Sequence, residues 1–408
     1  MNRISVQNFG PIGDSGSVEI KKVTVFLGNQ GSGKSTIAKL ISTFLWMEKA
    51  LFRGDVSTKW LQRKGRFRSS FLSYHRLENY FAKGGKAACS MVYEGEHCNI
   101  TFDGQNLRVG ENECPGYVLP QITYIPAERN FISYVRTAKD LKQTSESFKT
   151  FVAEFDNAKR GIKENVRLPF SATLEYDRLN DVLHLKGSNY KIKLSEAASG
   201  FQSFAPLYMV MHHLSTTVSQ TGRADSDMTA DERQRFHKNV ATIYDNPDLT
   251  DEQRRLALSA LSRQFKKEAL ISIIEEPEQN LFPSSQNKML FSLLDFNNQR
   301  PANRLIMTTH SPYLVNSLTL AVQGAELKRK IFEQNRTDLL DRLDAIVPVN
   351  AVTPTSDVAV YQLDESEGTV TTLPMPNGIP SDANYLNASL GASNDAFDRL
   401  LDIEEELE

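Results

Sequence analysis

A glycine-rich stretch, Gly28-Asn-Gln-Gly-Ser-Gly-Lys-Ser35, satisfies the pattern G-x-x-x-x-G-K-[ST] at every fixed position. The apolar, β-branched run Val23–Leu27 precedes it and predicts a strand that is buried on both faces. From Ser35 to about Lys49 the apolar residues recur at i, i+3, i+4 and i+7, which is typical of a helix. Strand, glycine loop and helix in this order predict a phosphate-binding loop, because the glycines let consecutive backbone N–H groups face the phosphates and the helix N-terminus adds its positive dipole.

The candidate nucleotide ligands lie in this loop and in the first turn of its helix. In such loops the lysine reaches the β- and γ-phosphates and the hydroxyl that follows it binds Mg²⁺, so Lys34 and Ser35 are expected to take these roles. The alternative is a glycine-rich turn that holds no ligand. The predicted ATP-binding set is Asn29, Gly31, Ser32, Gly33, Lys34, Ser35 and Thr36.

Two further strand ends carry polar groups. The buried run Leu270–Ile274 precedes Glu275-Glu276-Pro277-Glu278, and Leu305–Thr308 precedes His310. Open α/β sheets bind ligands at the carboxyl ends of their strands, so Glu275 is expected to hold Mg²⁺ directly or through water. Glu276 is expected to orient or deprotonate an attacking water, and His310 to sense a γ-phosphate. The alternatives are surface charge for the acids and a structural role for the histidine.

A small-residue segment, Ser199-Gly200-Phe201-Gln202, opens an apolar helix that the sequence predicts over 204–212. By itself it is also compatible with a simple helix N-cap. The chain resembles the ATP-binding-cassette, SMC and Rad50 ATPases from Ile4 to about Leu318. It has their motifs in the same order: the phosphate loop, this small-residue segment, the acids and then His310. Asn8–Ile12, Tyr124–Arg129, Glu275–Pro283 and Thr309–Pro312 resemble one short, arm-less branch: the ATPases of the overcoming-lysogenization-defect (OLD) nucleases and the PtuA subunit of Septu anti-phage systems.

The resemblance implies that two ATP molecules are sandwiched between two heads, so that homodimerisation completes the site. Ser199, Gly200 and Gln202 would then act in trans, with Ser199 near the γ-phosphate of the partner's nucleotide. Two residues depart from the common superfamily pattern: Phe201 stands where glycine is usual, and Glu275 stands where aspartate is usual. Both departures imply slow hydrolysis, with ATP acting more as a state marker than as fuel.

Composition excludes several classes. A net charge of −3 argues against a protein that coats nucleic acid with its whole surface. Cys89, Cys98 and Cys114 show no disulfide or zinc spacing, and no apolar run approaches the roughly 18 residues of a membrane span. We therefore expect a cytoplasmic protein without a membrane partner. The sequence shows no long heptad arms, no TOPRIM element after His310 and no grouping of its seven histidines as in HNH nucleases.

The predicted fold is α/β, an ATPase head with a mixed central sheet, an antiparallel β subdomain and an inserted helical subdomain. The head is expected to span residues 1–320, with insertions at about 50–85, 130–165 and 215–268, and residues 321–408 to form a small C-terminal extension. A β-meander of Ser90–Tyr93, Cys98–Phe102 and Tyr117–Ile125 is predicted, as are a turn at Gly10–Asp14, a helix over 132–165, a hairpin over 170–194 and two helices in 229–268.

Three functions fit these features. The first is the ATPase sensor subunit of an anti-phage complex, which controls a nuclease or toxin partner (HNH or TOPRIM type) supplied in trans. The second is a RecF-like repair ATPase that clamps DNA itself, for which the basic and aromatic segment Lys59–Arg76 would supply contacts; that segment also fits a solvated helix face with a buried apolar side. The third is a stand-alone phosphate-transfer or transport ATPase. The acidic stretch Asp395–Glu408 fits either a docking helix or a frayed tail.

Overall fold

The computed structural model describes most of the chain. The described residues are 2–81, 88–112, 114, 116–133, 144–162, 164–219, 230–244, 246, 253–254, 257–258, 261 and 266–405. Among the described helices, none combines the length and the apolar character that a bilayer crossing requires.

The elements are numbered in chain order. The strands are β1 (Asn2–Phe9), β2 (Ile12–Asp14), β3 (Val18–Ile20), β4 (Val23–Gly28), β5 (Ser90–Glu94), β6 (Cys98–Phe102), β7 (Leu107–Glu111), β8 (Pro120–Ile125), β9 (Val166–Arg167), β10 (Thr173–Asp177), β11 (Val182–Lys186), β12 (Lys191–Lys193), β13 (Ala269–Glu275), β14 (Arg304–Thr309), β15 (Val358–Leu363) and β16 (Val370–Thr372). The helices are α1 (Lys34–Phe52), α2 (Thr58–Leu61), α3 (Glu146–Gly161), α4 (Ser199–Ser219), α5 (Ala230–Tyr244), α6 (Pro283–Asn298), α7 (Pro312–Glu333), α8 (Leu340–Asp344) and α9 (Tyr385–Glu405).

A six-stranded central sheet organises the molecule, in the order β16-β15-β4-β14-β13-β8. Its strands are parallel except for β16, which pairs antiparallel with β15. Both faces are covered, because Val25 and Leu27 of β4 enter one apolar cluster while Phe26 enters the other. This alternation confirms the predicted doubly buried strand, and the α/β fold class with a mixed sheet is as predicted.

Two antiparallel sheets flank the central one. The first has the order β2-β1-β5-β6-β7, with β3 also paired to β1, and the second has the order β12-β11-β10-β9. The second contains the predicted hairpin of 170–194. In the first, the predicted turn at Gly10–Asp14 includes the short strand β2, which pairs with the end of β1.

The meander prediction is wrong in its third strand. The third strand is β7, whose residues Leu107–Glu111 pair with β6. The stretch predicted for that place, Tyr117–Ile125, instead contributes β8, which pairs in parallel with β13 at the edge of the central sheet. Residues 107–111 and 117–125 both have the composition of strands. They differ in the sheet with which they pair, and local sequence does not determine that pairing.

The remaining expectations have mixed outcomes. Within 132–165 the described helix is α3, which begins at Glu146, and 134–143 lie outside the described residues. Of the two helices predicted in 229–268, α5 is described, whereas most of the second lies outside the described residues. Strand β15 of the predicted C-terminal extension pairs with β4 inside the central sheet. The 321–408 segment therefore supplies part of the head's own sheet, and the division of the chain into domains stays a prediction.

Candidate functional site

The phosphate loop connects β4 to α1 with a backbone that needs its glycines. Gly31 and Gly33 have φ values of 85° and 101°, a region that residues with a Cβ rarely adopt. A Cβ on Gly28 would lie 2.6 Å from the carbonyl oxygen of Leu363. The loop curvature on which the motif prediction depends is therefore present, and the C-terminal strand β15 forms one of its walls.

The side chain of Lys34 lies over the loop. Its Nζ donates to the carbonyl oxygens of Gly28 and Asn29, both at 2.7 Å. Burial lowers the pKa of Lys34, while the charges of Glu276, Glu278 and Glu365 oppose that shift. A buried cation near three carboxylates is placed to exchange its carbonyl partners for phosphate oxygens.

The other predicted loop residues lie around Lys34. Ser32 is buried and its hydroxyl donates to the carbonyl of Asn29 at 2.9 Å. Asn29 and Gly31 are exposed, Gly33 and Thr36 are buried, and Ser35 is half-buried in the first turn of α1. The two exposed residues at the rim and the hydroxyl of Ser35 are thus available to a ligand that enters from the solvent.

Glu275 ends β13 and is buried in a network of donors. Tyr124 donates its hydroxyl to Oε1 at 2.5 Å, and the backbone N–H of Ala127 donates to Oε2 at 3.1 Å. Lys39 of α1 lies 3.6 Å from the same carboxylate. Glu275 is therefore oriented by Tyr124 of β8, by the backbone just after β8 and by Lys39 of α1.

Glu276 and His310 face each other at the ends of neighbouring strands. The Oε1 atom of Glu276 lies 3.6 Å from Nδ1 of His310, and both side chains are partly exposed. Glu276 has a φ of 44°, which is unusual for a residue with a side chain. Its backbone N–H donates to the carbonyl of Thr308 at 3.0 Å. With this backbone conformation the carboxylate of Glu276 lies beside the imidazole of His310.

Glu278 lies beneath this pair and is 4% exposed. Its Oε1 accepts from the hydroxyl of Thr309 at 2.7 Å and from the N–H of His310 at 3.0 Å. Its Oε2 has no hydrogen-bond partner among the described residues. Burial raises the pKa of Glu278, while the hydrogen bonds from Thr309 and His310 oppose the rise. Its carboxylate therefore holds His310 in place at some cost in desolvation.

Arg129 is the site residue that the sequence analysis did not assign. It is fully buried, and its guanidinium donates to four carbonyl oxygens. They belong to Ser203 (3.2 Å), Pro126 (3.3 Å), Glu275 (2.7 Å) and Glu276 (2.6 Å). Its sequence signal is its place in the stretch Tyr124–Arg129, which carries part of the family resemblance. Arg129 joins the end of β8, the end of β13 and the helix α4.

The small-residue segment begins α4, as predicted, but its three candidate residues differ. Ser199 is exposed at the first residue of the helix, and Gly200 is half-buried against Asn280, whose carbonyl oxygen a Cβ would approach to 2.8 Å. Gln202 is 8% exposed, and its amide donates to the carbonyls of Ser195 and Ala197. The side chain of Gln202 thus satisfies carbonyls of the turn before the helix, and its contact in trans stays a prediction, as do those of Ser199 and Gly200.

The basic and aromatic segment 59–76 has its apolar side buried. Phe67 and Phe71 are 2% and 6% exposed, and the guanidinium of Arg66 lies 4.5 Å from the ring centre of Trp60. Its cations Arg63, Lys64 and Arg68 are exposed. The rings of Phe67 and Phe71 are not open to stacking with bases, whereas those of Trp60 and Tyr74 are half-buried. The role of the segment stays a prediction.

The acidic C-terminal stretch forms the last part of helix α9, which ends at Glu405; residues 406–408 lie outside the described residues. Its apolar side chains Phe397, Leu400 and Leu401 are exposed.

The donor set at the strand ends fits Mg²⁺, which prefers oxygen ligands and keeps several waters beside one or two carboxylates and substrate phosphates. The hydroxyl of Ser35 and the carboxylate of Glu275 are such donors. Both oxygens of Glu275 already accept hydrogen bonds, which favours contact through a bound water. In the part of the chain that the structure describes, no three His, Cys, Asp or Glu side chains group as a metal cluster.

Part of the chain is similar to one known protein family. The family described as AAA ATPase domain matches residues 252–315, the segment that carries Glu275, Glu276 and His310. No curated protein matches the chain.

Several solved structures align over most of the chain at low identity. The SMC head domain from Thermotoga maritima covers 91% of this chain and 97% of its own, with 10% identity and a TM-score of 0.39. A Smc head domain with an extended coiled coil, bound to the C-terminal domain of ScpA and derived from Pyrococcus furiosus, covers 92% and 98%, with 10% identity and a TM-score of 0.38. The recombination mediator RecF covers 91% and 97%, with 11% identity and a TM-score of 0.31. Because these TM-scores are low, the fold class is assigned from the strand order and the loop geometry of this chain.

Proposed function

We propose that this chain binds and slowly hydrolyses ATP, and that its nucleotide state controls a nuclease or toxin partner in a bacterial anti-phage complex. One observation carries the ATPase part. Adjacent parallel strands β4, β14 and β13 deliver the phosphate loop, His310 and the two acids to the same edge of the sheet. The match of residues 252–315 to an AAA ATPase domain supports the same activity.

The chain's own groups divide the reaction between them. Lys34 and the loop N–H groups hold the β- and γ-phosphates, and Glu276 accepts a proton from the water that attacks the γ-phosphorus. The bond to the bridging oxygen breaks, and ADP and phosphate leave. His310, 3.6 Å from Glu276, contacts the γ-phosphate and registers its presence. Ser35 and Glu275 would hold Mg²⁺, which would supply positive charge to the phosphate oxygens.

We further propose that the site is completed by a second copy of the chain. Ser199 is exposed at the N-terminus of the 21-residue helix α4, where a helix dipole and free N–H groups favour a phosphate. Gly200 keeps that helix close to the segment after the acids. In the dimer, Ser199 and Gly200 of one protomer contact the γ-phosphate bound by its partner.

ATP turnover and complex mass test the ATPase and the dimer. Lys34→Ala abolishes nucleotide binding, whereas Lys49→Ala, on the last turn of the same helix, does not.

Glu276→Gln binds ATP without turnover and accumulates as a dimer of doubled mass, and Glu268→Gln, at the opposite end of β13, behaves as wild type. Ser199→Arg binds ATP but stays monomeric, with Thr217→Arg as its control. A Glu276→Gln protein that is monomeric with ATP refutes the sandwich.

The defence role is supported by the sequence resemblance in Tyr124–Arg129, Glu275–Pro283 and Thr309–Pro312. Its test is to express the tagged chain with its flanking genes, to identify co-purifying proteins by mass spectrometry and to measure phage plating. A stoichiometric nuclease or toxin and ATP-site-dependent protection support the proposal. A lone dimer that gives no protection contradicts it.

Direct clamping of DNA is the second candidate, and the exposed cations Arg63, Lys64 and Arg68 favour it. It predicts ATP-dependent DNA affinity that falls steeply with salt. Replacing these three residues by glutamine would then weaken binding at every sequence and reduce the salt slope by about one per lost phosphate contact. If affinity is the same with and without ATP, the clamp is wrong.

A further inference from the structure

A second cavity lies away from the phosphate loop, at the β8 edge of the central sheet. It has a volume of about 240 Å³ and lies between α1, the turns at Phe67–His75 and α3. Neither the loop residues 28–36 nor Glu275, Glu276 or His310 line it. Pockets for drug-sized ligands measure roughly 300–1,000 Å³, so this cavity suits a more compact molecule. Five phenylalanine, tyrosine or tryptophan residues contribute to its lining: Trp46, Phe71, Tyr74, Tyr124 and Phe151.

The side chain of His75 lines this cavity. It is 2% exposed, and neither ring nitrogen has a hydrogen-bond partner among the residues that the structure describes. Its ring packs edge-on against Tyr124, with ring centres 4.5 Å apart. Burial, with a smaller contribution from the charge of Lys39, lowers the pKa of His75 to about 3. The ring is therefore neutral at physiological pH and offers one N–H donor and one nitrogen acceptor. Because buried polar groups are nearly always paired, this histidine points to a ligand.

The charge of the lining narrows the class of ligand. Among the described residues that line the cavity, Glu154 is the single carboxylate and none is a lysine or arginine. A phosphate or a carboxylate would be repelled there, because its charge would be desolvated beside a like charge. A carboxylate oxygen accepts well from an amino group. The lining thus favours a flat, uncharged heteroaromatic ring with an amino substituent.

We propose that this cavity binds a free nucleobase that carries an exocyclic amino group, such as adenine or cytosine. The ring packs among the aromatic side chains, its donor and acceptor atoms pair with His75, and the amino group donates to Glu154. The cavity is separate from the phosphate loop, because Ser42 lies seven residues after Ser35 on α1, about 10 Å along the helix axis. The proposal does not depend on ATP hydrolysis.

Titration of the full chain with adenine and with cytosine tests the proposal. The chain has two tryptophans, so Trp60→Phe leaves Trp46 as the only fluorescence reporter, and calorimetry on the wild-type chain gives an independent affinity. Saturable binding is expected, at least tenfold tighter than that of hypoxanthine and uracil, in which a carbonyl replaces the amino group. Binding is expected to persist in saturating ATP and in Lys34→Ala.

Variants of the cavity provide the controls. His75→Leu removes both nitrogens and should weaken binding at least tenfold, whereas His97→Leu, which removes a half-buried histidine elsewhere, should leave it unchanged. Ser42→Leu fills the cavity and should abolish binding in a protein with an unchanged circular dichroism spectrum. Failure of both bases to bind, competition by ATP, or unchanged binding in His75→Leu and Ser42→Leu overturns the proposal. Equal affinity for hypoxanthine and uracil overturns the assignment of the amino group to Glu154.

Discussion

Replacing Arg129 by methionine should both destabilise the protein and slow ATP turnover. The guanidinium is fully buried and donates to four carbonyl oxygens from three separate segments. Burial lowers the pKa of Arg129 to about 10, while Glu278, Glu276 and Glu275 oppose that shift, so the side chain is a cation at neutral pH. Methionine fills a similar volume without a donor and leaves these carbonyls without their charged partner.

The expected loss of stability follows from two opposing contributions. Each hydrogen bond to a charged group contributes about 1.5–3 kcal/mol, but burying a guanidinium costs several kcal/mol in desolvation. Breaking such a buried network by removing one partner costs about 3–5 kcal/mol. Arg129→Lys keeps the charge, but one ammonium group does not reach all four carbonyls, and we expect an intermediate loss of about 1–3 kcal/mol.

The catalytic effect is a separate readout. Arg129 holds the carbonyl of Glu276, whose φ of 44° is strained and costs about 1–3 kcal/mol to maintain. Without that contact the backbone relaxes and the carboxylate moves away from His310. A displacement of about 1 Å costs up to about 100-fold in rate, so kcat should fall about 10- to 100-fold. KM for ATP should change little, because the carbonyls to which Arg129 donates lie at the ends of β8 and β13 and in α4, outside the phosphate loop.

Urea denaturation and steady-state ATP hydrolysis measure the two effects. Arg304→Met is the matched control, because Arg304 also bonds a backbone carbonyl and a carboxylate but lies at the opposite end of the strands; it should change stability without changing kcat. The reasoning is refuted if Arg129→Met unfolds within about 1 kcal/mol of wild type, or if KM rises while kcat stays constant.

Three further predictions test neighbouring contacts. Burial raises the pKa of Glu278. The contribution of Glu278 to stability is therefore complete below the pKa of an unfolded glutamate, about 4.3, and is lost as the pH rises through the pKa in the folded protein. Glu278→Gln should raise Tm at pH 8 and not at pH 4, and a difference in Tm that does not depend on pH would contradict this. Gly200→Ala places a Cβ 2.8 Å from the carbonyl oxygen of Asn280 and should lower the free energy of unfolding by about 1–3 kcal/mol in thermal melts. Gly110→Ala, whose Cβ would have no atom of the described residues within 4 Å, should cost much less. Tyr124→Phe removes the hydroxyl 2.5 Å from Glu275 and should lower the free energy of unfolding by about 1–3 kcal/mol. Tyr190→Phe, at an exposed tyrosine, is its control. Equal Tm values for the two variants would show that the Glu275 contact contributes nothing to stability.

The parts of the site that depend on contiguous residues were readable from the sequence. The phosphate loop is one run of eight residues, and its glycines, Lys34 and Ser35 act through local backbone geometry. The apolar runs before Glu275 and His310 identified two buried strands. Residues after parallel strands of one sheet meet at one edge, so the 3.6 Å approach of Glu276 to His310 follows that expectation.

Tertiary structure decided what depends on which segments become neighbours. The sequence did not show that β8 joins β13 rather than the meander, or that β15 lies beside the loop strand β4. It also did not show that Gln202 turns inward, or that Arg129 bonds carbonyls up to 147 positions away. Parallel strands bring together distant stretches of chain, and a backbone carbonyl is the same in every residue. The partners of a buried cation therefore leave no mark in the sequence, and the fold alone selects them.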